Sequence, residues 1–219
     1  MPGWTRFRFD GYIAGIGTAS GTRLVLGSWV RSPRGSFADV MVQQADGHRI
    51  LLAPDQWVAN FVSSTYTFDE VAQVPVGVVR CGSSSSSRWE VSAGPLHWTF
   101  TVGRRMPLGW LLRCVPPLIG RTHTFARITD AVASRVMPGV RTLGTAGNER
   151  AEWYAARDLH QISTSTASWA GTDLGQLTDV DPPPDFGFSS TPRSPALASL
   201  TSVVRVPSDQ VSQFAARAR

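Results

Sequence analysis

Lysine is absent from all 219 residues, so every one of the 21 basic side chains is an arginine. Without a side-chain primary amine the chain cannot form a Schiff base or anchor pyridoxal phosphate. It has no attachment point for biotin or lipoate and no phosphate-binding lysine of the GxxxxGK[ST] kind. Charge is scarce altogether, at 17 % of residues against a typical ~25 %. Cysteine is limited to Cys81 and Cys114, with no CxxC spacing, which points to a reducing compartment. The four histidines, His48, His97, His123 and His160, are far apart, and neither cysteine has a ligand-type neighbour at zinc spacing. No metal site and no cofactor are expected. A G-x-S-x-G nucleophile elbow is also missing. The longest apolar run, 107–120, is broken by Arg113 and is too short to cross a bilayer. The opening Met1-Pro-Gly-Trp-Thr-Arg has no apolar signal core, so a cytoplasmic location is expected.

Eight Trp and ten Phe are present instead. Together with the low charge they imply an extensive apolar interior or an apolar surface for a ligand. At this length a chain buries roughly 70 % of its unfolded surface without metal or disulfide staples. The net charge of +5 is uneven. Residues 101–150 carry eight Arg against Asp130 and Glu149, while acids gather at Asp173, Asp179, Asp181 and Asp185. Basic middle and acidic tail either face each other in the fold or leave a basic surface for anions.

Hydrophobic period dictates a strand-rich fold. Phe7, Phe9, Gly11 and Ile13 alternate with Arg6, Arg8, Asp10 and Tyr12. Further strands are expected at Thr22–Arg31, Phe37–Val42, Arg49–Leu52, Trp57–Val62, Tyr66–Phe68, Val74–Cys81, Trp89–Ala93, Leu96–Val102, Glu152–Ser163, Thr166–Ala170 and Leu200–Val206. Asp46-Gly47 between two of them is a hairpin signal. Gly15-x-Gly17-x-x-x-Gly21 is followed by a strand, not by the helix that a dinucleotide loop requires, so it reads as a β-turn. Pro107 opens a helix with Leu108, Leu111 and Leu112 on one face, which would bury Cys114. A second helix is expected from about Thr124 to Met137. The fold expected is mainly β: an antiparallel β-barrel or closed sandwich with a two-helix insertion at about 107–137. One β-rich domain would span 1–207, with a tail or short helix at 208–219. Gly27-Ser-Trp29 resembles the G-x-W that opens lipocalin-like barrels. The resemblance covers three residues, falls inside a second strand, and carries no binding residue across.

The most chemically dense stretch is Asn148 to His160. An uninterrupted strand would place Glu152, Tyr154, Asp158 and His160 on one face, a row of general acid–base groups. Arg157 would fall on the apolar side and need a buried carboxylate, with Asp39 as a candidate partner. Asp158 and His160 are the candidate catalytic pair. Tyr154, Arg157, Asp39, His97, Trp29 and Trp110 are the candidate ligand-binding residues. Arg104 to Arg121 flanks an apolar segment with arginines, as a lid or a membrane-surface contact would. Its basic residues are mixed with Leu and Val, which disfavours nucleic acid. Two functions are compatible: binding of a small apolar or amphipathic molecule, or Lys-independent acid–base catalysis (isomerase, cyclase or hydratase type) on an apolar substrate. A structural role at a membrane surface is a third. Exposed edge strands would permit a homodimer.

Overall fold

The computed structural model describes residues 3–83, 86–114, 143–145, 150–187, 191–211 and Phe214. The strands are β1 (Trp4–Thr18), β2 (Arg23–Arg31), β3 (Phe37–Gln43), β4 (Arg49–Ala53), β5 (Glu70–Gln73), β6 (Val76–Ser83), β7 (Ser86–Ala93), β8 (Leu96–Arg105), β9 (Leu143–Thr145), β10 (Ala151–Trp169), β11 (Thr172–Asp173), β12 (Leu177–Thr178) and β13 (Ala196–Pro207). Helix α1 spans Gln56–Ser63 and α2 spans Pro107–Arg113. The main sheet runs β5-β4-β3-β2-β1-β13-β10-β8-β7-β6 and curls into a half-barrel. Its pairings are antiparallel except β4–β5.

The strands follow from the alternation in the sequence, and the turns from its glycines. Gly21, at φ 83, and Gly47, at φ 94, occupy left-handed conformations in the β1–β2 and β3–β4 turns. Of the glycine-rich segment expected as a turn, Gly21 alone lies in the turn, while Gly15 and Gly17 are inside β1 and pair with Val25 and Arg23 of β2. The expected strands at Glu152–Ser163 and Thr166–Ala170 are one continuous strand, β10.

Two corrections concern helices. Trp57–Val62, expected as a strand, lies in α1. Its apolar residues Trp57, Val58, Phe61 and Val62 recur at helical spacing, and Asp55 caps the helix by accepting from the Val58 amide at 2.9 Å. Helix α2 is present where Pro107 places it, but it does not bury its leucine face. Trp110 and Leu111 are 60 % and 63 % exposed, and Cys114 is exposed. The buried residue of α2 is Gly109, because a side chain there would meet the Leu159 carbonyl at 2.5 Å. The second expected helix, 124–137, lies outside the described residues, as does the part of Arg104–Arg121 after Cys114.

Both faces of β1–β4 are covered. On the concave side, Ile16, Leu24, Leu26, Val40 and Val42 pack against Trp89, Trp98 and Phe100 from β7 and β8. On the other side, α1 and Phe214 close over Phe7, Phe9 and Val204, and over Leu51 and Ala53. Trp57 stacks on Phe61 at 5.1 Å and 3°, and its indole N–H donates to the Phe214 carbonyl at 2.7 Å. No helix among the described residues is long and apolar enough to cross a membrane.

Candidate functional site

Cross-strand pairing builds the site. Directly opposed residues in a ladder project from the same face. Ile13 opposes Gly27, which opposes Asp39. Gly11 opposes Trp29, which opposes Phe37. On the other flank of β1, Phe9 opposes Ser202, and Ser202 opposes Tyr154. Phe7 opposes Val204, which opposes Glu152. All of these rows share the face that α1 covers. Between sheet and helix they leave a cleft of about 50 Å³, lined by aromatic and aliphatic side chains and by Asp39, Glu152, Tyr66, Thr65 and Ser202.

Asp39 is 2 % exposed in the middle of β3. Trp29 donates its indole N–H to Asp39 Oδ1 at 3.2 Å. Burial penalises the charged form and pushes the carboxyl up to about 7, with the indole donor opposing in part. Gly27 leaves room for this pair: a Cβ there would lie 2.8 Å from Asp39 Oδ1 and 2.9 Å from Trp29 Nε1. At neutral pH Asp39 is therefore poised between proton donor and acceptor.

Glu152 is 3 % exposed at the start of β10. Ser202 donates to its Oε1 and Tyr66 to its Oε2, each at 2.6 Å. Tyr66 and Tyr154 hydroxyls lie 2.6 Å apart. Tyr154 hydrogen-bonds Glu152 as well, so both phenols serve the one carboxylate. Burial raises the Glu152 pKa, and its hydroxyl donors oppose that rise. Burial, followed by the Glu152 charge, drives both phenols well above their ordinary value, so both stay protonated.

Arg150, 1 % exposed, sits at the edge of this region. It donates to the Ser64 and Thr65 hydroxyls, and its guanidinium lies 4.8 Å from the Phe214 ring centroid.

The candidate residues divide between this cleft and other places. Asp39 and Trp29 line the cleft, and Tyr154 reaches it through Tyr66. Asp158 and His160 lie on the opposite face of β10. Ala156 pairs with Leu200 but Asp158 pairs with Ser199, so Arg157 is an extra residue, a β-bulge. The bulge reverses the facing of everything after it, and the expected single row of Glu152, Tyr154, Asp158 and His160 is split in two. Beyond the bulge, Asp158 Oδ1 accepts from Arg105 Nε at 2.8 Å, and His160 Nε2 stands 3.4 Å from Asp158 Oδ2. Those donors outweigh partial burial and lower the Asp158 pKa. Arg157 pairs with Asp10 Oδ1 at 3.4 Å, not with Asp39, because it follows Ala156 on the face of β10 away from the cleft. His97 is exposed on β8. Trp110 is exposed, with the Arg105 guanidinium 4.5 Å from its ring centroid. Among the described residues no cluster of three or more His, Cys, Asp or Glu is placed to hold a metal.

Sequence reasoning did not single out Tyr66, Ser202 or α1 as parts of the site. A signal for α1 was present in Asp55 followed by helically spaced apolar residues. None marked Tyr66 and Ser202, which reach Glu152 only through tertiary contact.

The chain thus defines an antiparallel half-barrel with a buried two-carboxylate cleft on its outer face. No protein-family model matches the sequence, and no curated protein does. Among solved structures it is similar to a Nitrosomonas europaea protein provisionally described as AttH, at 14 % identity and a TM-score of 0.26. That similarity covers 90 % of this chain and 38 % of the other, so this chain spans well under half of that protein's length.

Proposed function

We propose that the cleft binds a small apolar or amphipathic molecule and that Asp39 exchanges a proton with it. The observation that carries this reading is a fully buried carboxyl, pushed up to about 7, facing an aromatic-lined cleft. A buried carboxyl with a single neutral donor costs stability, and such groups concentrate at sites of chemistry. The reaction class is acid–base chemistry on an unsaturated or carbonyl-bearing substrate, of the isomerase, cyclase or hydratase type. In an isomerisation, Asp39 as carboxylate takes a proton from one substrate atom and gives it back to another, and nothing is consumed. Tyr66 and Ser202 hold Glu152 in position.

Trp29, bonded to Asp39, is a built-in reporter. A panel of unsaturated apolar compounds is titrated against the protein, with tryptophan fluorescence as the binding readout and chromatography of the mixture as the turnover readout. The expected result is quenching that Trp29→Phe removes, and turnover that Asp39→Asn abolishes while binding stays. Turnover unchanged in Asp39→Asn overturns the catalytic role. Binding of panel members without any turnover leaves a carrier. Absence of any binding overturns the site.

A further inference from the structure

We propose that the group seated in the cleft is an organic cation of alkylammonium size, countered by Asp39 and Glu152 and walled by aromatic rings. This rests on the reading that the cleft is the ligand site. Three observations carry it.

The first is charge. The ionisable side chains lining the cleft among the described residues are Asp39, Glu152 and Tyr66, and no arginine lines it. That exclusion is informative in a chain with 21 arginines and a net charge of +5. A second buried carboxylate is unfavourable without a positive charge nearby. A buried cation beside this region is Arg150, whose Nη1 serves Ser64, Thr65 and the Phe61 carbonyl, with its guanidinium over the Phe61 and Phe214 rings. Neither Asp39 nor Glu152 forms an ion pair with a described residue.

The second is the wall. Phe9 meets Trp29 at 5.6 Å and 60°, and meets Phe37 at 6.2 Å and 89°. Rings set at steep angles present both faces and edges around one space, and ring faces attract cations. The third is size. About 50 Å³ holds roughly four water-sized groups. That suits a compact ammonium head better than an extended chain.

A cation in the cleft favours the ionised carboxylates, so its binding releases protons. The groups facing Asp39 are Trp29 from β2 and, across the cleft, Glu152 and Tyr154 from β10, with Tyr66 beyond α1. Among the described residues Arg150 is the buried positive charge beside this region. Because Asp39 titrates near neutrality when the cleft is empty, affinity for a cation rises with pH across that range.

The experiment is a calorimetric titration of the whole protein with three probes of one shape: tetramethylammonium, neopentyl alcohol and pivalate. It is run at pH 6 and pH 8 in buffers of different ionisation enthalpy. The expected result is tetramethylammonium at least tenfold tighter than neopentyl alcohol at pH 8. Its affinity should also rise up to about tenfold from pH 6 to pH 8, with measurable proton release. Asp39→Asn should remove the pH dependence while leaving the far-ultraviolet circular dichroism unchanged. Equal affinity for alcohol and ammonium overturns the cation proposal and leaves the apolar-ligand reading standing. Preferential pivalate binding overturns it in favour of an anion site. If none of the three binds and apolar compounds also fail to quench Trp29, the cleft itself is not a ligand site.

Discussion

Trp29 donates its indole N–H to Asp39 Oδ1 at 3.2 Å, and the two side chains have room to meet because Gly27 lies between them without a Cβ. Gly27 is directly opposite Asp39 across the β2–β3 ladder, so the glycine, the acid and the indole form one unit. The strand loses side-chain packing at Gly27 and gains space for a buried carboxyl. A glycine inside a strand marks such a close approach.

Asp39 makes the protein less stable as pH rises. Its folded pKa, about 7, lies above the unfolded value near 3.8. Between those limits the folded state holds the extra proton, so unfolding free energy falls as pH climbs from about 4 to about 7 and then levels. Asp39→Asn keeps an acceptor for Trp29 and removes the ionisation. The variant should exceed the wild type in stability at pH 8 by on the order of 4 kcal/mol, with little difference at pH 4. Urea denaturation at the two pH values measures this, and an equal gap at both would contradict it.

Gly27→Ala should push Asp39 and Trp29 apart, since the new methyl would sit within 2.9 Å of both polar atoms. Loss of the hydrogen bond costs about 1–2 kcal/mol and displaces the Trp29 indole proton resonance. An unchanged indole resonance would show that the strand absorbs the methyl.

Tyr66→Phe removes the donor to Glu152 Oε2 and leaves Ser202 on Oε1. With one donor fewer, the already raised Glu152 pKa rises further. The variant should lose about 1–3 kcal/mol at neutral pH. The loss should shrink as pH falls and Glu152 becomes protonated in both proteins. Thermal denaturation from pH 4 to pH 8 tests the sign of that trend.

The bulge at Arg157 is tested by two variants of the same residue. Arg157→Ala keeps the extra backbone position and loses a half-exposed ion pair to Asp10, a cost below about 1 kcal/mol. Deleting Arg157 leaves Ala156 opposite Leu200 and Asp158 opposite Ser199 as consecutive pairs, so Asp158 and His160 keep their face. The deletion should therefore lower the melting temperature little more than the alanine does. A far lower melting temperature for the deletion would mean that the sheet needs the bulge for its local bend and twist.

Asp158 and His160 stand beside α2, not in the cleft. Gly109 packs α2 against β10 beside Asp158, where Arg105 and His160 also meet. His160→Ala should leave binding of cleft ligands within about twofold, because the side chain projects from the other face of the sheet. Amide exchange in α2 should accelerate. A large drop in cleft affinity would place His160 back in the site.

The β architecture was legible in the residues because period-two alternation and glycine turns are local signals. Phe7 to Ile13 needed no partner to read as a strand, and Asp46-Gly47 needed none to read as a turn. Asp39 stood out because an acid amid Phe37 and Met41 conflicts with burial. The absence of lysine excluded whole reaction classes without any structure. Tertiary structure decided the rest. Trp57 to Val62 could extend or coil, and packing of Phe61 over Phe7 and Phe9 selected the helix. The Arg157 bulge is set by pairing with β13, which lies about forty residues away, and one extra backbone position there sent Glu152 and His160 to opposite faces. Tyr66 and Ser202 are far from Glu152 in sequence and meet it only when α1 and β13 close on β10. Local chemistry thus determined which residues had to be buried or paired. The sheet register determined what they were buried against, and hence which carboxylates face a cleft and which hold a helix.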